Sequence, residues 1–163
     1  MPEVSSGVHV QRIYVDTSVF GGYFDPEFEI PTRRLFEMFI RGEARLVLSD
    51  LTMRELGRAP RRVRLLLLDV PPQHLEDIGT LREAEALAEL YLREGVIRPS
   101  MHVDALHIAT AVVARVDVLV SWNFRDIVNA AKIRGYNAIN SRLGYPVLEI
   151  HTPREVLLNG NGN

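Results

Sequence analysis

A chain of 163 residues with 47% hydrophobic and 25% charged residues fits one globular domain, large enough to bury roughly two-thirds of its unfolded surface. The absence of cysteine excludes a disulfide framework, a thiolate zinc site and a cysteine nucleophile. A net charge of −2 argues against a protein that coats nucleic acid by bulk electrostatics, while 18 of the 19 basic residues are arginine, so a local basic patch stays open.

The opening "MPEVSSGVHVQR" has neither a basic start nor an apolar run of signal-peptide length, and no segment reaches the approximately 18 apolar residues of a membrane span. A cytoplasmic protein with no membrane contact is expected. Residues 1–11 are expected to fray and residues 159–163, "NGNGN", to be disordered, leaving 12–158 as a single domain. "RIYVD" reads as a first strand, with Gly21 and Gly22 forming a tight bend after it. "PTRRLFEMFIRGE" reads as a helix with proline in its first turn, and "RLVLS" as a second strand. The helix containing "LTMRELGRA" follows at once, capped by Ser49 or Asp50.

"RRVRLLLLDV" reads as a short helix and "PPQHLEDIG" as an extended stretch holding a short strand. Thr80 and Glu83 have the spacing of a capping box at the start of "TLREAEALAELYLREG", whose apolar face is Ala84, Leu87, Ala88 and Tyr91, with a stop at Gly95. Ser100 is expected to cap the next helix, with Ala105, Ile108, Ala109, Val112 and Val113 as its stripe. "DVLVSW" is a buried strand, "FRDIVNAAKIRG" a helix ending at Gly135, and "PVLEI" a final strand.

Strands alternating with helices imply an α/β fold, a parallel sheet covered on both faces. In such sheets ligands sit beyond the carboxyl ends of the strands. Asp16 closes the first strand; Glu55 follows the second by two turns; Asp104 opens the helix after Ser100; Ser121 and Asn123 bracket the end of "DVLVSW". An acid at a strand end can merely cap a helix or hold a loop, but three converging carboxylates repel unless a cation lies among them. An oxygen-only donor set suits magnesium or manganese, and phosphodiester hydrolysis is the reaction such ions support.

"IYVDTSVF", "LTMREL", "DALHIATA" and "LVSWNFRDI" resemble, in order and spacing, the four motif blocks of PIN domains, the nuclease fold of VapC-type toxins, over residues 12 to 150. The resemblance implies a three-layer α/β/α sandwich around a mostly parallel sheet of about five strands. It also implies a magnesium- or manganese-dependent endoribonuclease using one or two ions, RNA as substrate, an antitoxin partner and a homodimer. Carried over block by block, Asp16, Glu55 and Asp104 match the family's metal-binding acids, and Ser18 matches its hydroxyl two residues after the first acid. The last block departs from the pattern: Asn123 stands where a fourth acid is common, with Asp126 one turn further on, so either the amide replaces the acid or Asp126 swings in. In this reading Asp16, Glu55, Asp104 and Asn123 are the catalytic set, supported by Ser18, Ser121, Asp126 and His107.

His107, three residues after Asp104, shares its side of the helix close to these acids; a supporting hydrogen bond is the first expectation, with plain packing and direct metal ligation as the alternatives. His9, His74, His102 and His151 read as surface or loop residues. The glycine pair matches no phosphate-cradling pattern, and no G-x-S-x-G elbow is present. Arg54, Arg58, Arg61 and Arg62, followed by Arg64, crowd beside Glu55; a solvated helix face is the plain reading, and a clamp on an RNA backbone the sharper one. Trp122 and Phe124 have rings that can stack on a base, although the apolar strand and helix they join place both in the core. Two rival functions remain: a PIN-like interaction module without catalysis, which Asn123 keeps in play, and an aspartyl-phosphate phosphatase, which needs a second acid where "DTS" has serine.

Overall fold

The structure, a computed structural model, describes residues 9–160. Its centre is a five-stranded sheet built from β1 (Gln11–Val15), β2 (Ala44–Ser49), β3 (Leu75–Ile78), β4 (Val118–Val120) and β5 (Glu149–His151). The strands run parallel in the order β3-β2-β1-β4-β5. Strand β1 is central, with Ile13 paired to Leu46 on one side and to Val118 on the other.

Side chains alternate across the sheet, and the sequence uses both faces. Tyr14, Val47, Leu119 and Ile150 point into one core, where they meet α5 (Arg82–Arg93), α6 (His102–Val113) and α7 (Ala130–Arg142). Ile13, Val15, Leu46, Leu48, Val118 and Val120 point into the other. There they meet α1 (Thr17–Gly22), α2 (Glu29–Arg41), α3 (Asp50–Leu56), α4 (Arg61–Arg64) and, through Val156, α8 (Pro153–Gly160). The result is the three-layer sandwich expected. Leu35, Phe36 and Phe39 of α2 are fully buried or nearly so, and truncating either phenylalanine to alanine costs about 3–5 kcal/mol. Among the described residues no helix is long and apolar enough to cross a membrane.

Several local expectations are corrected. The residues after β1 form the helix α1 and not a bend; Gly22 is required there because a Cβ would lie 2.6 Å from the Trp122 indole nitrogen. Thr80 caps nothing: α5 starts one residue later, and the Thr80 hydroxyl donates instead to Asp50 Oδ1 at 2.5 Å. Ser100 sits inside a 3₁₀ turn, Pro99–Met101, and α6 begins without a side-chain cap. Gly135 does not end α7, which runs on to Arg142; the absent side chain makes room for Val96, whose Cγ1 would lie 2.7 Å from a Cβ. The short helix at 61–69 is one turn of α4 followed by a 3₁₀ segment. The last strand, Glu149–His151, takes only the end of "PVLEI" and runs one residue beyond it, and α8 follows. Gln11, in the segment expected to fray, opens β1, and the expected tail is helical through Gly160. The rest of both terminal expectations, residues 1–8 and 161–163, lies outside the described residues.

Candidate metal-dependent site

Asp16 follows the last residue of β1 and occupies the N-cap position of α1, yet its side chain makes no cap bond. It turns into the protein, only 5% exposed. Ser18 Oγ donates to its Oδ1 at 2.6 Å, and the same Oγ accepts from Trp122 N at 3.0 Å, tying α1 to the end of β4. Burial pushes the Asp16 carboxyl up to about 6; hydrogen bonds from Ser18 and Ser121 and the nearby His107 oppose this, while the charge on Asp104 adds to it.

Glu55 lies near the end of α3, whose start is fixed by Ser49, with Oγ accepting from Thr52 N at 3.5 Å. Its Oε1 accepts from Thr17 Oγ1 at 3.0 Å and pairs with His107 Nε2 at 2.5 Å. The hydrogen bond from His107 is the main reason its carboxyl is held below the usual range, against the opposing effect of burial. His107 is itself anchored: Nδ1 meets the Tyr14 hydroxyl at 2.6 Å, and that hydroxyl meets Ser49 Oγ at 2.8 Å. With the His107 proton on Nε2, donated to Glu55, the chain closes: Ser49 donates to Tyr14 and Tyr14 to Nδ1. Tyr14, Ser49 and His107 are all buried. Burial also raises the Tyr14 pKa, keeping it a donor.

Asp104 stands in the first turn of α6. Its pKa is raised, by burial first and then by the charges of Asp126 and Glu55, with His107 and Asn123 opposing. Asn123 Nδ2 donates to Asp104 Oδ2 at 3.1 Å. The Asn123 amide oxygen is committed elsewhere, accepting from Arg125 N at 3.1 Å and Asp126 N at 3.0 Å, so it faces a backbone turn. Ser121 Oγ fixes the start of that turn by accepting from Asn123 N at 2.9 Å.

Asp126, the alternative fourth acid, is buried against cations: Lys132 Nζ donates to Oδ1 at 2.6 Å and Arg98 approaches Oδ2 at 3.5 Å. Burial alone would raise its pKa, but these cations outweigh it and hold the carboxyl below the usual range.

Asp16, Glu55 and Asp104 thus share one edge of the sheet and influence each other's charge. Among the described residues no three histidine, aspartate or glutamate side chains form a ready-made metal cage. Glu55 and Asp104 are each gripped through one oxygen, and the other oxygen has no hydrogen-bond partner among the described residues. Thr17 and Tyr14 are the members that sequence reasoning missed. Thr17 was legible only as a neighbour of Asp16, and Tyr14 read as one more apolar strand residue.

Beyond this group, Arg54, Arg58, Arg61, Arg62 and Arg64 are exposed on α3, α4 and the turn joining them. Arg54 approaches Asp50 at 3.6 Å, and the Arg62 guanidinium lies 5.0 Å from the Phe24 ring centre. Trp122 is buried as expected, whereas Phe124 is 52% exposed, contrary to the expectation of core packing. Of the other histidines, His74 is the one bound inward, its Nδ1 meeting Phe39 O at 2.9 Å.

No family model matches the chain, and no curated protein matches it by sequence. Solved structures do match. VapBC2 from Rickettsia felis, bound to a DNA fragment from its promoter, superposes with a TM-score of 0.54 at 13% identity, covering 87% of this chain and 98% of the other. VapC20 of Mycobacterium tuberculosis, a sarcin-ricin loop cleaving toxin, superposes with a TM-score of 0.51 at 16% identity, covering 84% and 98%. With its five parallel strands in the order β3-β2-β1-β4-β5 and helices on both faces, the chain has the PIN-type α/β/α fold of the VapC toxins.

Proposed function

We propose that the chain is an endoribonuclease that hydrolyses RNA phosphodiesters with one or two magnesium or manganese ions. The observation that carries this reading is Asp16, a carboxylate buried at the strand edge with its pKa pushed up to about 6, in range of the like charge on Asp104. A fold keeps such an arrangement when a cation offsets it in use. The donor set fits the ion: Asp16, Glu55 and Asp104 offer hard oxygens only, and magnesium keeps several of its waters, so three carboxylates need not touch. When bound, the ion would polarise the phosphodiester and activate water. The protein's own part is to hold the acids: Ser18 orients Asp16, Thr17 and His107 orient Glu55, and the Asn123 amide orients Asp104.

Arg58, Arg61 and Arg62 would bind the RNA backbone beside the acids. The VapBC2 likeness supports an antitoxin partner, and the VapC20 likeness supports a structured RNA target.

A second reading, a non-catalytic interaction module, draws on the absence of a ready-made cage among the described residues and on the pairing of Glu55 with His107. One assay separates the two: cleavage of RNA with magnesium or manganese by wild type, Asp16→Asn and Asp104→Ala, with a chelator as control. Cleavage that needs the ion and both acids supports the nuclease. Cleavage that persists in Asp16→Asn or in chelator defeats it, and no cleavage by wild type leaves the interaction module.

A further inference from the structure

Phe124 is an exposed ring one residue past Asn123, whose amide touches Asp104. Its position is not a matter of a loose loop. Asn123 holds the turn through its amide oxygen, which accepts from Arg125 N and Asp126 N, and its backbone oxygen accepts from Val128 N at 2.8 Å. Beneath the ring, Phe28 and Trp122 stack with centres 4.2 Å apart, and the Phe124 centre lies 6.3 Å and 6.1 Å from them. Trp122 is locked by its Nε1 proton, donated to Thr32 Oγ1 at 2.9 Å, and by the bare Cα of Gly22. Three aromatic rings thus form a rigid cluster whose outermost member faces solvent beside the acids. Arg125, the next residue in the chain, is also exposed.

We propose that Phe124 is the platform on which an unpaired base of the RNA strand stacks, next to the phosphodiester held at Asp16 and Asp104. The inference rests on the nuclease reading and names its substrate class: single-stranded or looped RNA, because a base inside a duplex has no free face to offer. Aromatic stacking tolerates any base, so the platform fixes the strand's course without selecting a sequence. Arg125 would meet the adjoining phosphate as a planar fork.

The chain's single tryptophan, Trp122, serves as the reporter. Its fluorescence is followed while the full chain, free of divalent ions, is titrated with a short single-stranded RNA, with the same strand carrying abasic positions, and with its duplex. The single strand should quench Trp122 and bind about ten-fold more tightly than the abasic strand. Phe124→Ala should lower binding of the intact strand to the abasic level and leave the abasic strand unaffected, while Phe124→Tyr restores wild-type binding. Equal binding of the intact strand by wild type and Phe124→Ala overturns the proposal, as does equal binding of single strand and duplex. The nuclease reading is scored separately by adding manganese. Base-dependent binding without cleavage keeps the platform and removes the nuclease; cleavage with an unchanged KM in Phe124→Ala keeps the nuclease and removes the platform.

Discussion

Replacing Asp16 by asparagine gives a stability change whose dependence on pH follows from the site's design. The Asp16 carboxyl ionises near 3.8 in the unfolded chain and near 6 in the folded one, so forcing it to ionise in place costs the fold about 3 kcal/mol. The folded state binds the proton more tightly. The contribution of Asp16 to stability is therefore most favourable below pH 4, falls as pH rises towards 6, and is level above that. Asparagine carries no charge and keeps an oxygen for Ser18, while its new amide hydrogens lack a sure acceptor, which costs about 1–3 kcal/mol at every pH alike. The informative quantity is the difference between the two proteins.

Urea unfolding of both, in chelator, from pH 3.5 to 8 measures it. The variant should gain on the wild type by about 3 kcal/mol across the window from 4 to 6. Asp104, whose pKa is also raised, and Glu55, whose pKa is lowered, contribute slopes of opposite sign that largely cancel in the difference. A difference that is flat, or that runs the other way, would refute the claim that Asp16 is a buried charge held at a cost.

Tyr14→Phe removes one hydroxyl and no volume, leaving His107 Nδ1 unpartnered in the core; a loss of about 1–3 kcal/mol in chemical denaturation is expected, with metal affinity reduced because Glu55 loses its brace. Asn123→Asp turns a donor facing Asp104 into a like charge, so the variant should melt lower than wild type in chelator and recover most of the deficit in manganese, read by thermal shift. Replacing Arg58, Arg61 and Arg62 together with glutamine should raise KM, flatten its dependence on salt and leave kcat nearly unchanged; a fall in kcat with an unaltered salt slope would separate these residues from RNA binding.

The sequence made the sheet, the two buried faces and the strand-edge position of Asp16, Glu55 and Asp104 legible, because those follow from apolar periodicity and from where α/β sheets expose their strand ends. Helix ends were less legible, since the same capping spacing occurs with and without a cap. Thr80 and Glu83 have the box spacing, yet Thr80 is drawn away to Asp50 across the fold. Thr152 and Glu155 form the real box, with Thr152 N donating to Glu155 Oε1 at 3.1 Å and Glu155 N to Thr152 Oγ1 at 3.2 Å. Gly135 read as a stop because glycine disfavours helix interiors, and the contact with Val96 that overrides this comes from 39 residues earlier. The orientation of the Asn123 amide was out of reach for a similar reason: the backbone donors that claim its oxygen exist only once the turn has formed. His107 could be placed beside Asp104 by helical spacing, but its second anchor, Tyr14, lies on the central strand.

The central place of β1 has a consequence for the protein's synthesis. Strand β1 can pair with β2 early, but its other neighbour, β4, is made about a hundred residues later, a delay of roughly 5–20 s at ordinary translation rates. Until β4 docks, Trp122 N cannot bind Ser18, and Asn123 cannot brace Asp104 in place beside Asp16. The emerging chain therefore carries its acids apart, and under the proposed nuclease reading any cleavage of the surrounding RNA, including the message being read, would have to wait until β4 and the turn after it have docked.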